Sequence, residues 1–130
     1  MIEIKNSNVL IDTDIIIDHL RGIGNFSSIV DNTSNNECYI SVISIAEVYS
    51  NLFPHEYEIM EMLLSELKIV NIDPIIAKLA GNYRMKFYKS HGLRLPDAII
   101  AATAKINDAI LVTKNVKHYP MEDIQKITPY

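Results

Sequence analysis

Short apolar runs alternate with amphipathic segments along the chain, and this alternation predicts strands that are followed by helices. The apolar runs are Val9 to Ile11, Cys38 to Val42, Lys68 to Ile72 and Ala109 to Val112, and a short edge strand is expected between Asp123 and Thr128. Runs that are almost wholly apolar are typical of parallel strands buried on both faces. We therefore predict an α/β fold, a three-layer α/β/α sandwich with a mostly parallel central sheet.

The segments between the strands carry apolar residues at helical spacing. Helices are predicted after Asp12, at Ser41 to Ser50, at Glu56 to Leu67, from Asp73-Pro74 to His91 and at Leu95 to Ala104, with a short helix and a loop between Gly22 and Asn36. Thr13 or Asp14 is expected to cap the first of these helices. The spacing also places Ile59, Ile75 and Met85 on the inward faces of their helices.

Length and composition describe an ordinary globular protein. The chain has 130 residues, of which 48% are hydrophobic and 22% charged, and we expect one domain that spans residues 1–130. Its one cysteine, Cys38, cannot form an internal disulfide. The segment Met1 to Asn6 lacks the order of a signal peptide, and the apolar runs are too short to cross a membrane. A cytoplasmic protein is therefore expected.

The charge is distributed unevenly along the chain. The net charge is -4, which argues against a protein that simply coats nucleic acid, because such binding depends on basic residues. Residues 1–80 contain four cations against twelve acids, whereas residues 81–130 contain eight cations against four acids. The C-terminal part can therefore meet an anion.

Polar residues stand where the predicted strands end or the helices begin. Asp12 ends the first strand, Glu47 lies early in the helix after the second, Asp97 opens the helix before the fourth, and Thr113 and Asn115 follow that strand. Ligands of parallel sheets bind outside the carboxyl ends of the strands, so these side chains can converge at one rim. Carboxylates that converge favour a divalent cation such as Mg²⁺ or Mn²⁺, which also suits phosphoryl chemistry.

Each acid also has a purely structural explanation. Asp12 and Asp14 can cap a helix and complement its dipole, and Asp97 in a first helical turn can do the same. Ser44-x-x-Glu47 has the spacing of a capping box. The four histidines are not spaced as a zinc site, and we expect surface or packing roles for them.

Taken together, the motifs resemble those of PIN-domain ribonucleases, and within them the VapC-like toxins of toxin–antitoxin pairs. The resemblance extends over essentially the whole chain, through Ile11 to Asp14, Ser41 to Glu47, Pro96 to Ala102 and Leu111 to Asn115. It implies a PIN-like fold and metal-dependent hydrolysis of RNA phosphodiester bonds. Two partners are also implied, a cognate small antitoxin and a second copy of the chain, since members usually form homodimers.

The same resemblance assigns roles to individual residues. The metal ligands fall on Asp12, Glu47 and Asp97, and the family's Thr-x-Asn/Asp element falls on Thr113 and Asn115. For binding the flanking phosphates of the RNA, the candidates are the basic residues that cluster before Asp97 in the sequence, Arg84, Lys86, Lys89 and Arg94. Positions where members often carry a fourth acid hold Asn115 and His118, which weakens the case for a second metal ion. Asp14 stands where members commonly have asparagine, so we rank it below Asp12.

Three other classes of protein share part of this pattern. Haloacid-dehalogenase-like phosphatases have a similar Asp12-Thr13-Asp14 element, with Asp12 as nucleophile and Asp14 as acid, but they also need a late acidic pair, for which Glu122-Asp123 is the candidate. A signalling receiver domain needs a phospho-accepting aspartate, for which Asp73 is the nearest match. A PIN fold that has lost catalysis and only binds remains a third alternative.

Overall fold

Five strands and six α-helices form the part of the chain that the computed structural model describes, residues 7–33 and 37–130. The strands are β1 (Val9–Ile11), β2 (Cys38–Ser41), β3 (Lys68–Val70), β4 (Ile110–Val112) and β5 (Lys126–Ile127). The α-helices are α1 (Thr13–Leu20), α2 (Phe26–Thr33), α3 (Val42–Tyr49), α4 (Tyr57–Glu66), α5 (Pro74–His91) and α6 (Leu95–Ile106). Two 3₁₀ turns span Pro54–Glu56 and Val116–His118. The segment Met1 to Asn6 and the end of the loop expected up to Asn36 lie outside the described residues.

All five strands are parallel, in the order β3-β2-β1-β4-β5, which confirms the predicted parallel sheet and edge strand. The central strand β1 pairs with β2 on one side and with β4 on the other, with Leu10 opposite Tyr39 and Leu111. Every residue of β1 and β4 is buried, as the uniformly apolar runs predicted. The carboxyl ends of β1, β2 and β4 therefore meet at one edge.

Two apolar cores lie on opposite faces of the sheet, which confirms the three-layer architecture. Alternate strand residues point to opposite faces, so Ile11 and Val112 belong to one core and Leu10 and Leu111 to the other. The first core is completed by helices α1 to α4, and the second by α5, α6 and residues such as Tyr119 that follow β4. None of the helices within the described ranges is long and apolar enough to span a membrane.

Caps fix where the helices begin, and two expected caps were wrong. The cap of α1 is Asp12, whose Oδ1 accepts the Thr13 N–H at 2.7 Å, which confirms the structural explanation given for Asp12. Thr13 and Asp14, the other expected caps, already lie in the helix. Helix α3 begins at Val42 because the Ser41 hydroxyl caps it, which places Ser44 inside the helix and removes the capping box. Glu47 therefore takes no part in capping α3.

Some predicted inward positions are instead exposed. Ile59, Ile75 and Met85 are 42, 62 and 77% exposed, so the prediction that they lie on buried faces was wrong. The physical reason is that α4 and α5 are covered on a narrow stripe only. Met60 and Leu63 fill that stripe in α4, and Ile76, Ala80 and Tyr83 fill it in α5.

Candidate active site

A cleft of about 220 Å³ opens at the carboxyl edge of the sheet. Four of its ten lining residues are acids, which come from the end of β1 and from α1, α3 and α6. The lining residues are Asp12, Thr13, Asp14, Ile17, Glu47, Arg94, Asp97, Asn115, His118 and Tyr119. The structure thus brings together Asp12, Glu47, Asp97 and Asn115, which the sequence placed at one rim, and Thr113 lies directly behind Asp12.

Hydrogen bonds hold both carboxylate oxygens of Asp12. Its Oδ1 accepts the Thr13 N–H, and its Oδ2 accepts the Thr113 hydroxyl at 2.8 Å and the Tyr119 hydroxyl at 2.7 Å. Asp12, Thr113 and Tyr119 are all buried. Burial raises the pKa of Asp12 to about 6, and the neighbouring charge of Asp14 adds to the rise, although the hydrogen bonds oppose it. Asp12 is therefore a carboxylate of fixed orientation, and a cation beside it would stabilise its ionised form.

Asp14 belongs to the same cluster, although the sequence ranked it below Asp12. Its Oδ2 accepts the Lys114 N–H at 3.1 Å and the Asn115 amide at 3.0 Å, and it lies 3.3 Å from the Thr113 hydroxyl oxygen. Its Oδ1 is buried and has no hydrogen-bond partner among the described residues. Burial raises the pKa of Asp14. Two acids at one strand end were the signal for this role, and the Asn115 side-chain amide helps to orient Asp14.

Glu47 is half-buried and is oriented from α1. The Thr13 hydroxyl donates to Glu47 Oε1 at 2.7 Å and lies 3.0 Å from the Ser44 hydroxyl oxygen. Because Ser44 and Glu47 are three residues apart in α3, they lie on one helix face, as their spacing predicted. That face is turned toward Thr13, so Glu47 presents its other oxygen to the cleft.

Asp97 lies in the first turn of α6 and is bound by Arg94. The Arg94 guanidinium donates from Nε to Asp97 Oδ2 at 3.2 Å and from Nη2 to Oδ1 at 3.3 Å. The same Nη2 lies 4.0 Å from Glu47 Oε2. The hydrogen bond and the charge of Asp97 raise the pKa of Arg94. A single guanidinium thus links the two acids on this side of the cleft.

The other basic residues expected to bind substrate lie outside the cleft. Arg84 and Lys89 line a separate open groove of about 650 Å³ with Tyr88 and Leu95, and Lys86 lines neither feature. Arg94 and Leu95 are adjacent in the chain, so this groove begins beside the cleft. Residues 74–96 contain five Lys and Arg residues and no Asp or Glu. The surface that leads to the cleft is therefore strongly basic.

Sequence reasoning missed Tyr119 and Thr13 and gave His118 only a surface role. Tyr119 lies in a C-terminal segment of mixed polar and apolar residues, where a tyrosine would ordinarily be assigned to the apolar core. Its partner Asp12 is 107 positions away, so no local pattern could reveal the pair. Thr13 was considered as a cap, whereas its hydroxyl serves Glu47. His118 is exposed as expected but borders the cleft.

The phosphatase and receiver-domain alternatives each require a further acid, and in the structure that acid lies away from the cleft. Asp123, from the acidic pair that a phosphatase would need, accepts the Tyr83 hydroxyl at 2.9 Å and lines a different pocket with Asn8 and Lys105. Asp73, the candidate phospho-acceptor of a receiver domain, is the cap of α5 and accepts the Ile76 N–H at 2.8 Å. Neither acid faces the cleft.

The donor set in the cleft fits a hard divalent cation. It consists of carboxylate oxygens, which Mg²⁺ and Mn²⁺ prefer, and it includes the buried Oδ1 of Asp14 without a partner among the described residues. Within residues 7–33 and 37–130, no three His, Cys, Asp or Glu side chains yet converge as a ready metal cluster. Glu47 and Asp97 instead converge on Arg94.

Comparison with known proteins agrees with this arrangement. The family model described as the PIN domain matches residues 9–123. The chain is 34% identical over 115 residues to ribonuclease VapC10 of Mycobacterium tuberculosis, covering 87% of this chain and 86% of that protein. Ribonuclease VapC19 of the same organism is also 34% identical over 115 residues, covering 86% and 92% of the two chains.

Solved structures show the same fold. A chain of the VapBC2 complex from Rickettsia felis, bound to a promoter DNA fragment, has a TM-score of 0.81 at 21% identity, covering 93% of this chain and 98% of that one. A chain of a toxin–antitoxin complex from Klebsiella pneumoniae has a TM-score of 0.72 at 30% identity, covering 94% and 98%. The family match and the curated relatives together show that this chain belongs to the PIN-domain family.

Proposed function

We propose that this PIN-domain protein is a Mg²⁺- or Mn²⁺-dependent endoribonuclease and the toxin of a toxin–antitoxin pair. The observation that carries the proposal is the cleft in which Asp12, Asp14, Glu47 and Asp97 meet, each held by a named donor. Relatives that are 34% identical over most of their length are named ribonucleases, which supports RNA as the substrate. Fold alone would not fix the substrate, so the site and the relatives are needed together.

Asp12, Glu47 and Asp97 are the residues we assign to hold the metal, and Asp14 stands beside them with an oxygen that accepts no hydrogen bond from the described part of the chain. A divalent cation in this cleft supplies polarisation of the phosphate and lowers the pKa of an attacking water. The cation also offsets the repulsion between the acids, which explains how an acidic cleft can accept an anionic polymer.

The chain itself supplies orientation and phosphate binding. Thr113 and Tyr119 hold Asp12 from behind, and Thr13 holds Glu47, so these carboxylates keep their positions before substrate arrives. Arg94 is the one Lys or Arg among the described residues that line the cleft, and we assign it to contact the phosphate beside the scissile bond. Arg84 and Lys89 extend that basic surface, and the exposed Tyr88 ring lines the same groove with the Arg84 guanidinium 4.4 Å from its centroid. We assign this cation–aromatic pair to stacking against a base of the RNA.

A protein partner is supported by similarity and by surface chemistry. The structural neighbours include toxin–antitoxin complexes from Rickettsia felis and Klebsiella pneumoniae. Helix α4 exposes Tyr57, Ile59 and Met62 at 47, 42 and 62%, with Phe53 just before it at 53%. Exposed apolar side chains at this density mark a contact surface. We assign this face to the antitoxin, and a homodimer remains part of the proposal.

The test compares the purified protein with its Asp97→Asn variant on labelled structured RNAs. Cleavage is expected with Mg²⁺ or Mn²⁺, none with EDTA, and a loss of at least about a hundredfold in the variant, because an amide cannot replace a charged ligand. Asp108→Asn is the matched control, since it makes the same chemical change outside the cleft, at a residue whose positive φ asparagine tolerates. Equal cleavage by all three proteins, or cleavage that EDTA leaves unchanged, would contradict the proposal.

A further inference from the structure

The guanidinium of Arg94 lies where the proposed metal ion would need its ligands. It contacts both carboxylate oxygens of Asp97 and approaches Glu47 Oε2. We propose that Arg94 is a positioning residue that acts as the cleft's own counter-cation, holding Glu47 and Asp97 together until a metal ion displaces it and frees it for the substrate phosphate. This inference rests on the proposed function, because it concerns the same metal ligands.

The contacts show that Arg94 and a metal ion compete for the same atoms. Both oxygens of Asp97 already accept from Arg94, and Glu47 Oε2 lies 4.0 Å from the same Nη2 atom, while Glu47 Oε1 accepts the Thr13 hydroxyl. A metal ion such as Mg²⁺ needs carboxylate oxygens within about 2.1 Å. Two cations cannot share these oxygens at such distances without strong repulsion.

Arg94 can leave these acids without unfolding any element. Its backbone is fixed as the first residue before α6, where its carbonyl accepts the Ala98 N–H at 3.0 Å, but its side chain is 65% exposed. Because the Arg94 end of this ion pair is open to solvent, a metal ion can displace the guanidinium without opening the protein around Asp97. Released from Asp97, the side chain stays anchored at the rim of the cleft, where an incoming phosphate passes.

Arg94 is the residue in the cleft lining that can serve as the counter-cation of the acids. Among the ten residues that line the cleft, it is the one Lys or Arg, and the four acids there have no other full cation in the lining. Lys114, the next residue after Thr113, is instead paired with Asp18 at 2.8 Å. Without Arg94, Glu47 and Asp97 would lose the cation that links them. A metal ion would then bind them without competition.

The competition gives two effects of opposite sign for one substitution. In Arg94→Gln, Mn²⁺ should bind about two- to fivefold more tightly, since the ion pair with Asp97 no longer has to be broken. At saturating Mn²⁺, the KM for RNA should rise by about fivefold or more, because a phosphate contact is lost. A residue with a merely structural role would change the stability of the protein and would not give this pair of effects.

The experiment measures Mn²⁺ binding by calorimetry for the wild type, Arg94→Gln and Lys78→Gln. Lys78 is exposed on α5 and does not line the cleft, so its substitution controls for the same change in net charge. Tighter binding in Arg94→Gln, with Lys78→Gln equal to the wild type, supports the inference. Unchanged or weaker binding in Arg94→Gln overturns it, and an unchanged KM overturns the release of Arg94 to the phosphate.

Thermal unfolding with EDTA confirms that each variant is folded before its binding is interpreted. A wild type that binds no Mn²⁺ would overturn the proposed function and this inference together. A wild type that binds Mn²⁺ and cleaves RNA, with Arg94→Gln unchanged in both measurements, would overturn the inference alone.

Discussion

The hydroxyl of Tyr119 donates a 2.7 Å hydrogen bond to Oδ2 of Asp12, across 107 positions of sequence and inside the protein. A carboxylate that binds a metal depends on such donors to keep its orientation, and their loss typically lowers affinity or activity by about 10- to 100-fold. We therefore expect Tyr119→Phe to lose RNA cleavage in that range while the ring still fills its place in the core. Initial rates at several Mn²⁺ concentrations measure the loss and show whether added metal restores activity.

Tyr83→Phe is the control for Tyr119→Phe. It also removes a buried tyrosine hydroxyl from a carboxylate, that of Asp123, at a distance from the cleft. Tyr83→Phe should cleave RNA at the wild-type rate. Equal losses in the two variants would show that the Tyr119 hydroxyl has no special role at the site.

The raised pKa of Asp12 makes the metal-free protein more stable in mild acid. The pKa is about 6 in the folded chain, against an ordinary value of 3.8, so the folded state binds more protons between these values. Stability therefore falls as the pH rises through this window. Between pH 5 and pH 7 the contribution of Asp12 falls by about 1 kcal/mol.

Urea unfolding at pH 5 and pH 7 with EDTA tests this dependence in the wild type and in Asp12→Asn. The variant lacks the titrating group, so its free energy of unfolding should change by about 1 kcal/mol less over the same interval. Asp12→Asn should also be the more stable of the two at pH 7, where the wild type carries a buried charge beside Asp14. Parallel pH dependences in the two proteins would argue against the raised pKa.

Arg84 and Lys89 should bind RNA through its phosphates, because both line the basic groove that begins beside the cleft. Replacing both with glutamine should weaken RNA binding and reduce the salt dependence. The slope of log K against log salt should fall by about 1.4, at about 0.7 for each single-strand phosphate contact. Fluorescence anisotropy with EDTA measures binding without cleavage. Lys105 lines the separate pocket that contains Asn8 and Asp123, so a Lys105→Gln variant should keep the wild-type slope.

Gly24 is expected to be more sensitive to substitution than Gly22, although both have positive φ, +82° and +74°. A Cβ at Gly24 would overlap the ring of Tyr130, whose hydroxyl donates to Asp18 at 2.6 Å, whereas a Cβ at Gly22 meets nothing within 4 Å among the described residues. Both alanine variants bear a backbone cost of about 1 kcal/mol or more. Gly24→Ala should lose additional stability in urea unfolding. Equal losses would show that Tyr130 moves aside freely.

The sheet and most of the helices could be predicted because their signals are local. Val9 to Ile11 and Ile110 to Val112 are apolar throughout, and both are buried on both faces as that pattern indicates. Periodicity identifies an apolar helix face but not how much of it another layer covers. That is why Ile59 and Met85 were placed inside although they are exposed.

The candidate site, like the fold, could be predicted from the sequence only in part. Acids at strand ends pointed to Asp12, Glu47 and Asp97, because parallel strands bring their carboxyl ends to one edge. Most of the groups that orient them could not be predicted, since most of these contacts join distant segments. Thr13 reaches Glu47 across 34 positions, and Arg94 pairs with a near neighbour, Asp97, but also with Glu47.

The position of β1 between β2 and β4 also sets when the site can work. A chain emerging from the ribosome contains Asp12 and Glu47 long before it contains Thr113 and Tyr119, so the carboxylates exist for a time without the donors that orient them. One edge of β1 stays unpaired until β4 has been made. A nuclease built in this order gains its activity late in its own translation, and a partner has that interval in which to reach the nascent chain.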